Sequence, residues 1–471
     1  MKLSHTLLTC SLAITAAVVA ACGGSESPAP KNVIFFLGDG MGMTTMTAAR
    51  IYKAGEDGAL TMDNLPETAF VKTYSADAQV TDSAPSMAAY MTGVKMNNEV
   101  ISMTADTMSY DVNLSSYVSG ANSTCPSTNG KPVTTLLEMA KSWGLATGVV
   151  TTTRVTHATP AATYAHICHR DGENNIAAQL VPKTSAYNVA LLDGVDVILG
   201  GGRAYFQPST TSGSKRTDTR DLITEMKTAG YKYASNKSEF DAISTSESKL
   251  LGLFTSSHMS YDLDRDPTAE PSLAEMTGKA IDMLKKNSKG MFLMVEGGRI
   301  DHALHETTAR KALQDTVAFD AAIQTAIDKM NIIDPGLKNT LIVVTADHDH
   351  TMVMNGYAAL TGKTTDANPG VLGLLRSYID GSIAKDVNNV EFTIIGFGNG
   401  ENRQSTRTAL TDATVFASTY HQEATIPVAA GSETHGGADV FLGAIGKGAE
   451  NFTGVLLNTE VFGKIRSIFG L

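Results

Sequence analysis

Apolar residues in this chain fall into two patterns that alternate along its length. Val33-Ile34-Phe35-Phe36-Leu37 is an unbroken apolar run closed by Gly38. A run without polar alternation reads as a strand buried on both faces, as in the interior of a parallel sheet. Ala146–Thr152, Val195–Leu199, Met291–Val295 and Leu341–Thr345 repeat that pattern. Between them lie stretches with helical spacing. Pro85–Thr92 is closed by Gly93, and Thr134–Trp143 by Gly144. Pro271–Lys286 places Leu273, Met276, Ala280, Met283 and Leu284 on one helical face. A long helical pattern follows Val295. Strand and helix in repeated alternation predict an α/β fold with a mainly parallel sheet. Between His350 and Thr434 the pattern weakens into short strands and turn residues. We read about 356–430 as an insertion within one catalytic domain, 31–471, and see no internal repeat. The Ser/Thr-rich stretch Pro208–Arg220 is expected to be an exposed loop.

The first thirty residues do not fit that scheme. Lys2 is followed by the apolar stretch Thr6–Val19, too short to span a bilayer comfortably, which ends in Val19-Ala20-Ala21-Cys22-Gly23. Small residues before a cysteine resemble a bacterial lipoprotein signal. This makes 1–21 a signal peptide and Cys22 a lipid anchor, the only membrane contact expected. Ordinary cleavage at the Ala pair is the alternative. The next segment, GGSESPAP, makes 22–30 a flexible tether. The protein is therefore expected to be exported, to the periplasm or the cell surface. Once Cys10 and Cys22 are set aside, Cys125 and Cys168 remain. An oxidising compartment allows them to pair, but sequence does not say whether they meet. Lys+Arg number 37 against 48 Asp+Glu, a net −11, which argues against a nucleic-acid partner. A local positive site for a small anion is still compatible with that charge.

Polar residues cluster where the strands end. Leu37 runs into Gly38-Asp39-Gly40, and Val295 into Glu296-Gly297-Gly298-Arg299-Ile300-Asp301. Thr345 runs into Ala346-Asp347-His348, and Thr152 leads to His157-Ala158-Thr159. Ligands of parallel sheets bind beyond the carboxyl ends of the strands. Any one of these turns is ordinary, since Asp is a common turn former. Four together suggest a metal site. There is no CxxC zinc signature, so a metal must use His, Asp and Glu. Asp301 and His305 are spaced i, i+4, which puts both on one face if the segment is helical. His435 lies in Gly431-Ser432-Glu433-Thr434-His435-Gly436-Gly437. Asp301, His305 and His435 make one candidate set, and Asp39, Asp347 and His348 another. Two metals about 3.5–4 Å apart clamp a phosphoryl group during transfer. Thr81-Asp82-Ser83-Ala84-Pro85 supplies the nucleophile candidate. With Pro85 in the first helical turn, Ser83 sits where backbone N–H groups favour anions. The plainer reading is that Ser83 or Asp82 is only an N-cap.

Taken in order, these motifs resemble the alkaline phosphatase family. The resemblance rests on Gly38-Asp39-Gly40, Thr81-Asp82-Ser83-Ala84, His157-Ala158-Thr159-Pro160, Val295-Glu296-Gly297-Gly298-Arg299-Ile300-Asp301-His302 with His305, Thr345-Ala346-Asp347-His348 and Thr434-His435. It spans nearly the whole chain after the tether. Thr151–His157 and the VEGGRIDH run are closer to the animal-type and marine bacterial branch. The resemblance implies a three-layer sandwich with a crown-like inserted subdomain, a homodimer, and hydrolysis of small phosphomonoesters through a phosphoserine at Ser83. It implies two Zn2+ and one Mg2+ per subunit. The zinc sets are the two above; the magnesium set is Asp39, Thr159 and Glu296, with His157 through water. Arg170 would grip the phosphate by two oxygens at once. His157 stands where the enteric branch has Asp. Thr255 stands where some animal members place a carboxylate for calcium, so calcium is not expected. His302 and His350 are expected to support neighbouring ligands, and His421 has no assigned role.

Two other readings compete. A phosphodiesterase or sulfatase could share the metal core, but the paired Asp/His sets and Arg170 favour monoester hydrolysis. A non-enzymatic lipoprotein binding metal or phosphate would fit the tether equally well, yet no expected ligand is missing.

Overall fold

The computed structural model describes residues 31–471. The expected signal peptide, the anchor at Cys22 and the tether lie outside the described residues. Ten strands form one sheet: β1 (Lys31–Gly38), β2 (Glu67–Lys72), β3 (Ala146–Arg154), β4 (Val197–Gly201), β5 (Lys232–Ala234), β6 (Leu250–Leu253), β7 (Gly290–Gly297), β8 (Thr340–Ala346), β9 (Val440–Gly446) and β10 (Gly454–Leu457). Their spatial order is β10-β2-β9-β8-β1-β7-β3-β4-β6-β5. Only β9 runs against its neighbours, β8 and β2. All other pairs are parallel.

β1 explains why the sheet needs two covering layers. Val33 to Leu37 are fully buried. Successive side chains of a strand point to opposite faces. Phe35 meets Tyr90, from the helix Ser83–Thr92, at a ring distance of 5.5 Å. Phe36 meets Phe319, from the helix Ala309–Ile333, at 5.9 Å. Consecutive residues thus bind helices on opposite sides, which is the expected three-layer α/β arrangement.

The expected helices form with small shifts at their ends. Thr134–Trp143 becomes Leu136–Ser142, and Pro271–Lys286 becomes Leu273–Leu284. Each starts at a capping box, Thr135 with Glu138 and Ser272 with Glu275, which satisfies N–H groups the helix cannot pair itself. The long pattern after Val295 divides into Arg299–His305 and Ala309–Ile333. Between His350 and Thr434 a separate small sheet joins Met352–Met354, Ile395–Gly400 and Ala424–Pro427. Pro208–Arg220 is largely exposed, but Arg216 is buried and pairs with Asp218.

Cys125 and Cys168 form a disulfide across a sequence separation of 43 residues. Closing a loop of that size removes about 4 kcal/mol of loop entropy from the unfolded chain. Cys125→Ser should lower the urea unfolding midpoint, and the double variant with Cys168→Ser should match it. Reduced wild-type protein should unfold with the variants. An unchanged midpoint in the single variant would show that the bridge contributes no stability.

Candidate active site

Strands β8, β1, β7 and β3 are consecutive in the sheet and parallel, so their carboxyl ends form one edge. Register aligns them closely: Leu37 pairs with Thr345 on one side and Glu296 on the other, and Glu296 pairs with Thr151. Asp39 follows β1, and Glu296 is the penultimate residue of β7. Asp347 and His348 follow β8. β3 leads to His157, which precedes the short helix Ala158–Ala161 carrying Thr159. Gly40 is required at its position. Its φ is +66°, and a Cβ there would meet His350 Nε2 at 2.5 Å. That close approach lets its N–H donate to Asp347 Oδ1 at 3.0 Å.

Three groups of potential ligands converge at this edge. Asp301, His305, His350 and His435 have ligand atoms within 4.8 Å of one another. The helix Arg299–His305 does carry Asp301 and His305 on one face, with His305 Nε2 3.2 Å from Asp301 Oδ1. His435 Nε2 lies 3.2 Å from His305 Nε2. The first expected set is therefore assembled, with His350 beside it. His350 uses Nε2 on Asp301 Oδ1 at 2.8 Å and Nδ1 on Glu433 Oε2 at 2.5 Å, so both nitrogens are engaged in holding carboxylates. The second group is Asp39, Asp301 and His348. Asp347, expected there, places Oδ2 3.5 Å from His348 Nε2. The third group is Asp39, His157 and Glu296. Thr159 Oγ1 joins it by donating to Asp39 Oδ2 at 3.3 Å.

The electrostatics of these groups call for cations. Burial, then the charge of Asp39, push the carboxyls of Glu296 and Asp347 well above the usual range. Burial also opposes ionisation of Asp301, but His305 and His350 outweigh it and hold that carboxyl well below its ordinary value. Burial and the neighbouring His348 and His350 keep His435 neutral. Asp347 Oδ2 and Glu296 Oε1 are buried without a hydrogen-bond partner. Buried carboxylate oxygens facing like charge, with no donor, fit divalent ions as their missing partners.

Ser83 lies between the groups. It is the first residue of the helix Ser83–Thr92 and is buried. Its Oγ is 3.1 Å from His348 Nε2 and 3.5 Å from Asp39 Oδ1. Asp82 is the N-cap residue by position, but its side chain makes no cap. It instead pairs with Arg170 Nη1, while Arg170 Nη2 donates to His157 Nε2 at 3.1 Å. Burial alone would weaken the Arg170 charge; Asp82 and Glu99 more than restore it.

Several supporting residues were not legible in the sequence. Thr153 Oγ1 donates to Glu296 Oε2 at 3.0 Å, and Thr151 Oγ1 contacts the same oxygen. The Thr151-Thr152-Thr153 run was visible, but only the alternation of β3 sends the first and third to one face. Thr81 contributes its carbonyl to His435 Nδ1 at 2.7 Å. Glu433, two residues before His435, is buried and also accepts from Thr351 N at 2.8 Å. His258, in a loop with no motif, packs against His157 and His302. His421 stands apart, its Nδ1 2.6 Å from the Glu306 carbonyl oxygen.

Comparison with known proteins gives the family. Residues 30–471 match the family model described as alkaline phosphatase. The alkaline phosphatase tissue-nonspecific isozyme of Gallus gallus is 39% identical over 464 residues, covering 90% of this chain and 82% of that protein. The membrane-bound alkaline phosphatase of Bombyx mori is 36% identical over 469 residues, covering 92% and 78%. The crystal structure of Thermus thermophilus alkaline phosphatase has a TM-score of 0.68 at 24% identity, covering 94% of this chain and 92% of that one. The chain belongs to the alkaline phosphatase family, and it is a metal-dependent phosphomonoester hydrolase.

Proposed function

We propose that Ser83 is the nucleophile and that hydrolysis runs through a phosphoserine. The observation that carries this reading is the position of Ser83 Oγ, 3.1 Å from His348 Nε2 at a helix N-terminus. Asp301, His305 and His435 would hold one zinc ion. Asp39, Asp347 and His348 would hold a second. Asp39, Thr159 and Glu296, with His157 through water, would hold magnesium, whose preference for oxygen ligands suits that set. When bound, the zinc ions supply Lewis-acid stabilisation of the attacking and leaving oxygens and lower the pKa of bound water.

The residues of the chain do the rest. Arg170 binds two phosphate oxygens and turns the phosphorus toward Ser83, and Asp82 fixes the plane of that guanidinium. Ser83 Oγ passes its proton to solvent as it bonds to phosphorus. The P–O bond to the substrate alcohol breaks, and the alcohol leaves protonated. The positive end of the Ser83–Thr92 helix favours the phosphoryl group so attached. Water then attacks phosphorus from the side the alcohol has left and gives a proton to solvent, the Ser83 P–O bond breaks, Ser83 Oγ takes a proton back, and inorganic phosphate departs.

Two further parts of the reading have their own support. The disulfide suits an oxidising compartment, which fits export and a lipid anchor at Cys22. Tyr357, Leu360, Tyr378 and Ile379 are exposed apolar residues on the insertion, as a homodimer contact there would require.

Ser83→Ala should reduce turnover of p-nitrophenyl phosphate about a thousandfold or more and abolish acid-stable labelled phosphoenzyme. An undiminished burst would remove Ser83 from the mechanism. Arg170→Ala should weaken inhibition by inorganic phosphate roughly tenfold to a hundredfold, with Lys restoring little of it. Unchanged phosphate inhibition would show that Arg170 does not hold the anion. EDTA should abolish activity, and zinc with magnesium should restore it. Faster cleavage of bis-p-nitrophenyl phosphate or p-nitrophenyl sulfate would move the assignment to a diesterase or sulfatase.

A further inference from the structure

Next to the third ligand group lies a cluster in which the proposed mechanism gives a task to His157 alone. His157, His258 and His302 each bring a ring nitrogen within 4.8 Å of the others. Three arginines surround them: Arg154, Arg170 and Arg299. Arg154 is neutralised by a two-point pair with Glu173 at 2.8 Å, and Arg170 is paired with Asp82. Arg299 has no carboxylate within salt-bridge reach among the described residues. Its guanidinium lies 3.8 Å over the Tyr261 ring, its Nη1 meets His302 Nδ1 at 2.8 Å, and its Nε is buried without a partner.

The direction of the hydrogen bonds identifies what the cluster lacks. A guanidinium N–H can only donate, so each imidazole nitrogen facing one must accept. His302 Nδ1 accepts from Arg299, which puts the His302 proton on Nε2. His258 is met by Arg154 on both nitrogens, the backbone N–H at Nδ1 (3.4 Å) and Nη1 at Nε2. A neutral imidazole offers one lone pair, so one N–H of this pair faces another. Arg299 Nε and His157 Nδ1, whose ring accepts from Arg170 through Nε2, are buried without a partner, and the N–H of His302 and one N–H between Arg154 and His258 also have no acceptor in the protein. One uncompensated positive charge accompanies them. The cluster is partly open to solvent, and His157 joins it to Arg170.

We infer that Arg299, His302, His258 and Arg154 form an oxyanion subsite beside the Ser83–Arg170 centre that takes a second phosphate group. Its oxygens would accept the orphaned N–H bonds, and its charge would offset Arg299. The group can come from the substrate itself, as in a polyphosphate, or from free inorganic phosphate. A metal ion held by the three imidazoles is the less favourable occupant. Metal-bound histidines donate their other N–H to an acceptor. Here nitrogens of His258 and His302 face guanidinium groups, and a cation would sit beside the uncompensated charge of Arg299.

The inference rests on Ser83 and Arg170 forming the reacting centre, and p-nitrophenyl phosphate reports on that centre alone. The test compares kcat/KM for p-nitrophenyl phosphate, pyrophosphate and tripolyphosphate in wild type, Arg299→Met and His258→Gln. His258→Gln is the variant remote from the ligand-bearing helix. Both variants should lose roughly tenfold or more on one or both polyphosphates, while p-nitrophenyl phosphate changes less than about twofold. Titration with inorganic phosphate separates the sources. A second bound equivalent, lost in His258→Gln, identifies free phosphate as a ligand of the subsite; a single equivalent together with the selective kinetic loss identifies the substrate's own second phosphate. Equal losses on all three substrates, or no selective loss and no second equivalent, would overturn the subsite. So would one additional zinc per chain, measured by elemental analysis, that disappears in His258→Gln while the polyphosphate kinetics stay unchanged.

Discussion

Asp39 is buried close enough to Glu296 and Asp347 to oppose the ionisation of both, and the rest of the site is organised around that conflict. Buried carboxylates are tolerated only when protonated, hydrogen-bonded or neutralised by cations. The protein gives each one partial relief. Asp347 accepts from Gly40, Glu296 from Thr153, and Asp39 from Thr159. One oxygen of Asp347 and one of Glu296 are left without any donor. That incomplete satisfaction suits bound cations, and it is a condition that an ordinary core would not sustain.

The sheet bears the cost of holding these groups in place. β1 is buried along Val33–Leu37 and clamped from both faces, by Tyr90 against Phe35 and Phe319 against Phe36. The two covering helices do more than cover. Ser83 begins the one that carries Tyr90. The other, carrying Phe319, follows directly on the segment with Asp301 and His305. The packing that buries β1 therefore also fixes the nucleophile on one side of Asp39 and the histidine ligands on the other.

Around this core, supporting side chains set the orientation of the groups that would react. Asp82 holds Arg170, Glu433 holds His350, and His350 holds Asp301. The same site shows an excess of the opposite kind a few ångströms away. There N–H donors and guanidinium charge accumulate around His258 and His302, and acceptors run out. Carboxylate oxygens without donors on one side and donors without acceptors on the other give the site a polarity suited to phosphate groups and their metal ions.

The sequence by itself determined the strands, most helices and the chemical inventory. Apolar runs such as Val33–Leu37 can satisfy their hydrophobicity only inside a sheet, and the residues that follow them are set by chain order. Glycines at Gly38 and Gly40 and the i, i+4 spacing of Asp301 and His305 were local facts, readable without knowing the neighbours. What needed tertiary structure was adjacency. No local pattern states that β8, β1, β7 and β3 lie side by side, yet that order alone brings Asp347, Asp39, Glu296 and His157 to one edge. The disulfide, the turning of Asp82 from cap to Arg170 partner, and the place of Glu433 and His258 belong to the same class. Each depends on contacts between residues far apart in the chain, where local periodicity carries no information and packing alone decides who meets whom.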